Sequence, residues 1–163
     1  MPELQWVAVK VTPHRHGLPA GVWEETELES FKDTGRYLRA GAMRSYLASG
    51  PRTLGGHKDC LQEIARRVPK ASAWMVESGG IESGILAEIA GPVVSLAVLA
   101  GDPAEWKSSL ASRLASVDAP ILTGGLLPEQ LSPHFGGRQS FRLREGEWVT
   151  EELLAFVRER LLV

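Results

Sequence analysis

The stretch AWMVESGG, Ala73 to Gly80, runs apolar residues up to a pair of glycines, and the chain repeats that outline twice more. Val93 to Leu99 (VVSLAVL) stops before Gly101, and Ile121-Leu122 stops before Gly124-Gly125. Buried parallel strands read this way when each hands over to a helix at its carboxyl end. The expected fold is therefore α/β: a single compact domain over residues 1–163 with a mixed, mainly parallel sheet of about five strands flanked by helices. The alternative is an α+β domain in which Trp74 to Gly101 forms a central antiparallel meander. In open α/β sheets ligands sit at the carboxyl ends of the strands, so the repeat also says where to look for function.

Outward from these runs, Leu4 to Thr12 alternates, with Val7, Val9 and Val11 on one face and Trp6, Ala8 and Lys10 on the other. That pattern is a half-buried strand, expected at or near an edge. Pro13 to Gly21 (PHRHGLPAG) is a loop. Trp23 to Lys32, rich in glutamate, fits neither the helical nor the strand period and stays open between the two. Asp33 or Thr34 can cap a helix from about Arg36 to Ala48, with Leu38, Met43, Tyr46 and Leu47 on its apolar side.

A firmer helix follows Gly55-Gly56, because Leu61, Ile64, Ala65 and Val68 recur at i, i+3, i+4, i+7 before Pro69. Ile81, Ile85 and Ile89 favour a short helix to Ala90, with a hairpin strand as the alternative. Asp102-Pro103-Ala104-Glu105 starts another helix, its stripe formed by Trp106, Leu110, Leu114 and Val117. Leu127 to Phe135 can hold a turn or two of helix, Gln139 to Arg144 is a sheet-edge strand, and Thr150 caps a last helix through Leu153, Val157 and Leu161.

Composition narrows the class. Apolar residues make up 44% and charged residues 23% of 163 residues, the mixture of an ordinary globular chain rather than a disordered or fibrous one. The run Pro92 to Gly101 falls short of the ~20 residues of a membrane helix, and Met1-Pro2-Glu3 lacks the basic start of a secretory signal. A cytoplasmic protein that makes no use of membranes is the expectation. The single cysteine, Cys60, excludes an internal disulfide and any multi-cysteine zinc site. Net charge of −2 gives no general attraction to nucleic acid, although eight basic and two acidic residues lie between Arg36 and Lys70. From Ala71 to Trp106 there are five acidic residues and no basic one.

Candidate sites divide into two groups. Backbone N–H groups at glycine turns can hold an anion, so Gly79-Gly80 and Gly124-Gly125 are candidate phosphate or carboxylate contacts; none matches a nucleotide-binding motif, and tight turning alone is the better explanation of these glycines. Arg52 with Gly55-Gly56-His57-Lys58 joins a helix N-terminus to positive side chains, against which stand Asp59 and the plain reading of a solvated entry loop. His57 three residues before Cys60 could activate a thiol, but no third group orients it. His14 and His16 lack a third metal ligand, and Ser78 lacks the elbow of a hydrolase nucleophile. No catalytic residue is assigned, and no metal or cofactor is expected.

The second group is an interaction surface. Five tryptophans are many for a chain with four phenylalanines and two tyrosines. Trp74 and Trp106 fall on core stripes, whereas Trp6, Trp23 and Trp148 sit among polar residues and could line a partner surface or cap the ends of a small core. Arg36, Arg39, Arg66 and Arg67, within the basic block, could steer an acidic protein partner or form a solvated face. The functional expectation is a non-catalytic protein-interaction or regulatory module that binds a partner or itself. Its rival is an enzyme or binding domain holding an anionic small molecule at the glycine-ended strand termini.

Overall fold

Val7, Val9 and Val11 are almost wholly excluded from solvent, and the strand that carries them, β1 (Trp6–Thr12), is the centre of the N-terminal sheet rather than its edge. The computed structural model describes residues 5–14, 17–50, 54–79, 81, 83–106, 110, 113–131, 138–147 and 149–161. They gather into two compact units, Met1–Gly91 and Pro92–Val163. The α/β class with mainly parallel strands is what the chain adopts, with the strands shared between two sheets.

In the first unit the order along the chain is β1, β2 (Gly21–Glu25), α1 (Asp33–Arg39), β3 (Arg44–Ser49), α2 (Leu54–Arg67), β4 (Ala73–Ser78) and α3 (Ser83–Ala90). The sheet runs β2-β3-β1-β4, with β1 parallel to β3 and β4 and β2 antiparallel along β3. Trp23 to Lys32 thus resolves as a short edge strand followed by a loop.

The expected helix over 36–48 is corrected. It stops at Arg39, and Gly41, at φ +97°, turns the chain into β3. Tyr46 and Ala48 alternate with Ser45, Leu47 and Ser49, which is period two, so the expected stripe is broken up: Leu38 stays on α1, Met43 lies between the elements, and Tyr46 and Leu47 fall on opposite faces of β3.

One face of this sheet is a conventional core. Val7, Val9, Val11, Tyr46 and Ala48 meet Cys60, Leu61 and Ile64 of α2 and Val68 just after it, with Trp74, Val76, Ile85 and Ile89 closing the margin. Completely buried side chains such as Leu61 and Ile64 each contribute about 1.5–3 kcal/mol by leaving water. The stripe read from the sequence for α2 is the one that packs, and α3 is the helix its isoleucine spacing suggested.

The second unit holds three parallel strands in the order β5 (Leu96–Leu99), β6 (Ala119–Leu122) and β7 (Phe141–Arg142), followed by α4 (Glu151–Leu161). Because β5 pairs in parallel within this sheet and β4 belongs to the other, Trp74 to Gly101 is no meander. Leu99, Leu114, Leu122 and Leu126 pack together, as do Ala119, Ile121 and Phe141 against Leu153 and Phe156 of α4. Phe141 and Phe156 meet edge to face at 5.0 Å. The Thr150 hydroxyl accepts from the Leu153 N–H at 3.3 Å, which is the expected cap. Asp102 caps only a 3-10 turn, Pro103–Glu105, and Trp106 is already extended. The Gln139 to Arg144 strand shrinks to two residues, and Pro128–Leu131 makes the short turn expected there.

Candidate functional site: a charged bolt and a clamped loop on the sheet face under α1

The other face of the first sheet follows from register. Trp23, Leu47, Lys10 and Glu77 form one row across the four strands, and Glu25, Ser45, Ala8 and Met75 form the next. α1 lies over this face, burying Thr34 and Gly35 against the sheet. Lys10 is the one cation in the first row. Its Nζ donates to Asp33 Oδ2 at the start of α1 and to Glu77 Oε1 at 3.1 Å, while the Tyr37 hydroxyl donates to Glu77 Oε2. Arg36 Nη1 adds a 3.6 Å contact to Asp33 Oδ1.

These contacts favour the ordinary charge states of Lys10, Asp33 and Tyr37. The hydrogen bond to Asp33 outweighs burial and, with Glu77, raises the Lys10 ammonium above its usual value. The hydrogen bond from Lys10 outweighs burial and lowers the Asp33 carboxyl. Burial and then the Glu77 carboxylate push the Tyr37 phenol well up. The cluster joins α1 to β1 and β4 through Lys10, Asp33, Tyr37 and Glu77, and the directions of the Lys10, Asp33 and Tyr37 shifts are opposite to those of a general acid or base tuned toward neutral pH.

Immediately before α1, residues 26–32 form a loop tied at several points. The Glu27 N–H donates to Glu25 Oε1 at 3.1 Å, the Ser30 N–H donates to the Glu27 carbonyl at 3.2 Å, and the Thr34 hydroxyl donates to Glu25 Oε2 at 3.1 Å. Burial alone would raise the Glu25 carboxyl, but the Glu27 N–H, the Ser30 and Thr34 hydroxyls and the Lys32 charge together lower it. From the far end of α1, Arg39 Nη1 donates to the Leu28 carbonyl at 2.6 Å and the Ser30 carbonyl at 2.8 Å. Two apolar side chains on this clamped backbone nevertheless face water: Leu28 is 56% and Phe31 97% exposed. Trp23, on β2 of the same face, is 39% exposed, its indole N–H held by the Pro19 carbonyl at 3.1 Å.

The residues singled out from sequence are dispersed by the fold. Arg52, Gly80 and Trp148 lie outside the described residues. Gly55 and Gly56 are in the first turn of α2 rather than before it; His57 follows, and its Nε2 is buried with no hydrogen-bond partner among the described residues. Lys58 pairs with Glu88 of α3 at 2.6 Å. Gly79 follows β4 and is exposed, whereas Gly124 and Gly125 follow β6 in the second unit with φ of +62° and +84°. There the Thr123 N–H and hydroxyl both donate to the Leu99 carbonyl, at 2.9 and 3.0 Å, so those glycines complete a turn that ties β6 to β5.

Trp6 is half-buried at the start of β1. The basic block is split between the two faces of the sheet: Arg36 and Arg39 are on α1, and Arg66 and Arg67 end α2, where Arg67 pairs with Glu63. Burial, then Glu63 and Asp59, raises the Cys60 thiol, which sits in the core and is suited to packing rather than attack. Among the described residues no group of His, Cys, Asp or Glu could hold a metal ion, and no helix is long and apolar enough to cross a membrane.

The displayed pair Leu28 and Phe31 was missed by sequence reasoning. The available signal was two large apolar residues in a segment that satisfied neither period. No known family, curated protein or solved structure matches this chain.

Proposed function

We propose that this protein is a non-catalytic interaction module that docks on a protein partner through loop 26–32, using Phe31 and Leu28 as its buried contacts. The observation that carries this reading is a phenylalanine 97% exposed on a backbone clamped by Arg39. Exposed apolar side chains are ordinary when scattered, but ordering a loop solely to display one costs entropy with no gain in the free protein. On binding, the same ordering becomes an advantage, because the loop has little freedom left to lose. The ion-pair cluster beside it supports the same reading, since it stiffens the platform and shifts Lys10, Asp33 and Tyr37 away from acid-base work near neutral pH.

The test is recovery of partners from the native host with the full chain as bait, comparing the wild type with Leu28→Ser, Phe31→Ser. A partner held through these side chains should fall tenfold or more in the variant, as for a central aromatic contact. Identical recovery by both proteins would sink the reading.

A second reading, an anionic small-molecule site at the N-terminal turn of α2, is favoured by the Nε2 of His57, which is buried with no hydrogen-bond partner among the described residues. A thermal-shift screen with inorganic phosphate, nucleotides and carboxylates separates the two. A ligand at ~100 times its Kd should add about 2.7 kcal/mol of stability, a shift of several degrees.

A further inference from the structure

Resting on the reading of loop 26–32 as a docking element, we infer that its partner is a protein with an apolar pocket rimmed by lysine and arginine. Leu28 and Phe31 are flanked by Glu27 and Glu29, both exposed and in no ion pair among the described residues. Three of the neighbouring cations, Lys10, Arg36 and Arg44, are turned to other carboxylates. Arg39 is turned onto the Leu28 and Ser30 carbonyls, Arg36 and Lys10 face Asp33, and Arg44 contacts Glu24 at 3.6 Å. Lys32, beside Phe31, and Arg39, whose carbonyl partners leave its charge in place, are the local positive charges, set against the three carboxylates of Glu25, Glu27 and Glu29.

The face around the apolar pair is therefore net negative. An acidic protein or an anionic membrane would bring its own charges against Glu27 and Glu29 with only Lys32 and Arg39 to offset them, whereas a basic rim would be steered in by the surplus negative charge. This reverses the partner charge that the run of arginines in the sequence suggests, because those arginines are used within the fold.

A photo-reactive phenylalanine placed at the exposed Thr26 of the full chain tests the inference in native-host lysate. Three proteins are compared at low and high salt: the otherwise unaltered chain, Glu27→Lys with Glu29→Lys, and Leu28→Ala with Phe31→Ala. Their melting temperatures should agree, since all four side chains are exposed. The expected result is a cross-linked partner peptide rich in lysine or arginine beside apolar residues. The charge-reversed protein should cross-link tenfold or more weakly at low salt, a gap that narrows as the Debye length shrinks.

A cross-link that depends on Leu28 and Phe31 but survives charge reversal overturns the basic rim and leaves the docking reading standing. So does one that lands on an acidic segment of a partner or on a second copy, whereas one that lands within this same chain overturns both. A cross-link indifferent to both variants, or none at all, overturns both.

Discussion

Gly35, in the first turn of α1, lies so close to Ser30 of the preceding loop that a Cβ added there would sit 2.4 Å from the Ser30 carbonyl oxygen and 2.6 Å from its Cβ. A backbone carbonyl cannot swing away as a flexible side chain can, and this one also accepts from Arg39. Gly35→Ala should therefore force the loop and helix apart. Overpacking of this kind costs about 1–3 kcal/mol. Hydrogen exchange resolved by residue is the appropriate measurement, because it reads the first unit separately from the second. Faster exchange across residues 27–36 is expected, and unchanged protection there would contradict the close approach.

Arg39→Ala should act on the loop more than on the fold. The guanidinium is exposed, so the two hydrogen bonds it gives to Leu28 and Ser30 contribute at most about 1 kcal/mol each. Without them the segment carrying Phe31 gains freedom that binding must then remove. The melting temperature should move by a few degrees at most, while exchange at Ser30 rises and partner recovery falls. A large loss of stability with intact recovery would mean that Arg39 is a structural residue and nothing more.

How much of this was legible in the sequence depended on whether periodicity was local. Leu61, Ile64 and Val68 announce α2, and the glycine-ended runs announce β4, β5 and β6, because each element's burial follows from its own spacing. Arg44 to Ser49 misled. Its neighbours on both sides, Arg36 to Arg39 and Leu54 to Arg67, are helical, and only its pairing between β2 and β1 makes it a strand.

The candidate site was less legible for the same reason. Lys10, Asp33 and Glu77 stand 23 and 44 residues apart along the chain and meet only through the β1–β4 register and the placement of α1. The exposure of Phe31 is likewise a tertiary fact. A tryptophan count pointed to Trp23, which is on the right face, but nothing in the spacing distinguished a phenylalanine that is displayed from one that is packed.

The bolt between α1 and the sheet should give the first unit a defined pH window. Asp33 is lowered in the folded state, so its contribution is complete above the ordinary carboxylate value near 3.8 and is lost as pH falls through its lower folded value. Lys10 and Tyr37 are both raised, so their contributions are complete below their ordinary values of 10.5 and 10.0 and are lost as pH rises beyond them. Stability of the first unit should thus stay level with respect to these groups across neutral pH and decline at both ends. Lys10→Met removes the shared partner of the two carboxylates. It should flatten the acid limb, which urea melts at several pH values would detect; an unchanged acid limb would remove Lys10 as the cause of the Asp33 shift.

Beneath α1, Ser45 on β3 is completely buried and its hydroxyl has no hydrogen-bond partner among the described residues. A hydroxyl in that position loses its water and gains nothing, a penalty of about 1–3 kcal/mol that an apolar replacement of similar shape escapes. Ser45→Ala removes one oxygen and leaves a void smaller than a methyl group, so the packing loss is below about 1 kcal/mol. The balance favours the variant. Expected is a rise in the urea midpoint of the first unit with an unchanged slope, which is the mark of altered stability without altered compactness. The neighbouring Thr34→Val makes the control, because its hydroxyl donates to Glu25 Oε2 and its loss should lower the midpoint instead. If Ser45→Ala also lowers the midpoint, the Ser45 hydroxyl is engaged in the folded protein, and the packing of α1 on this face is tighter than its contacts indicate.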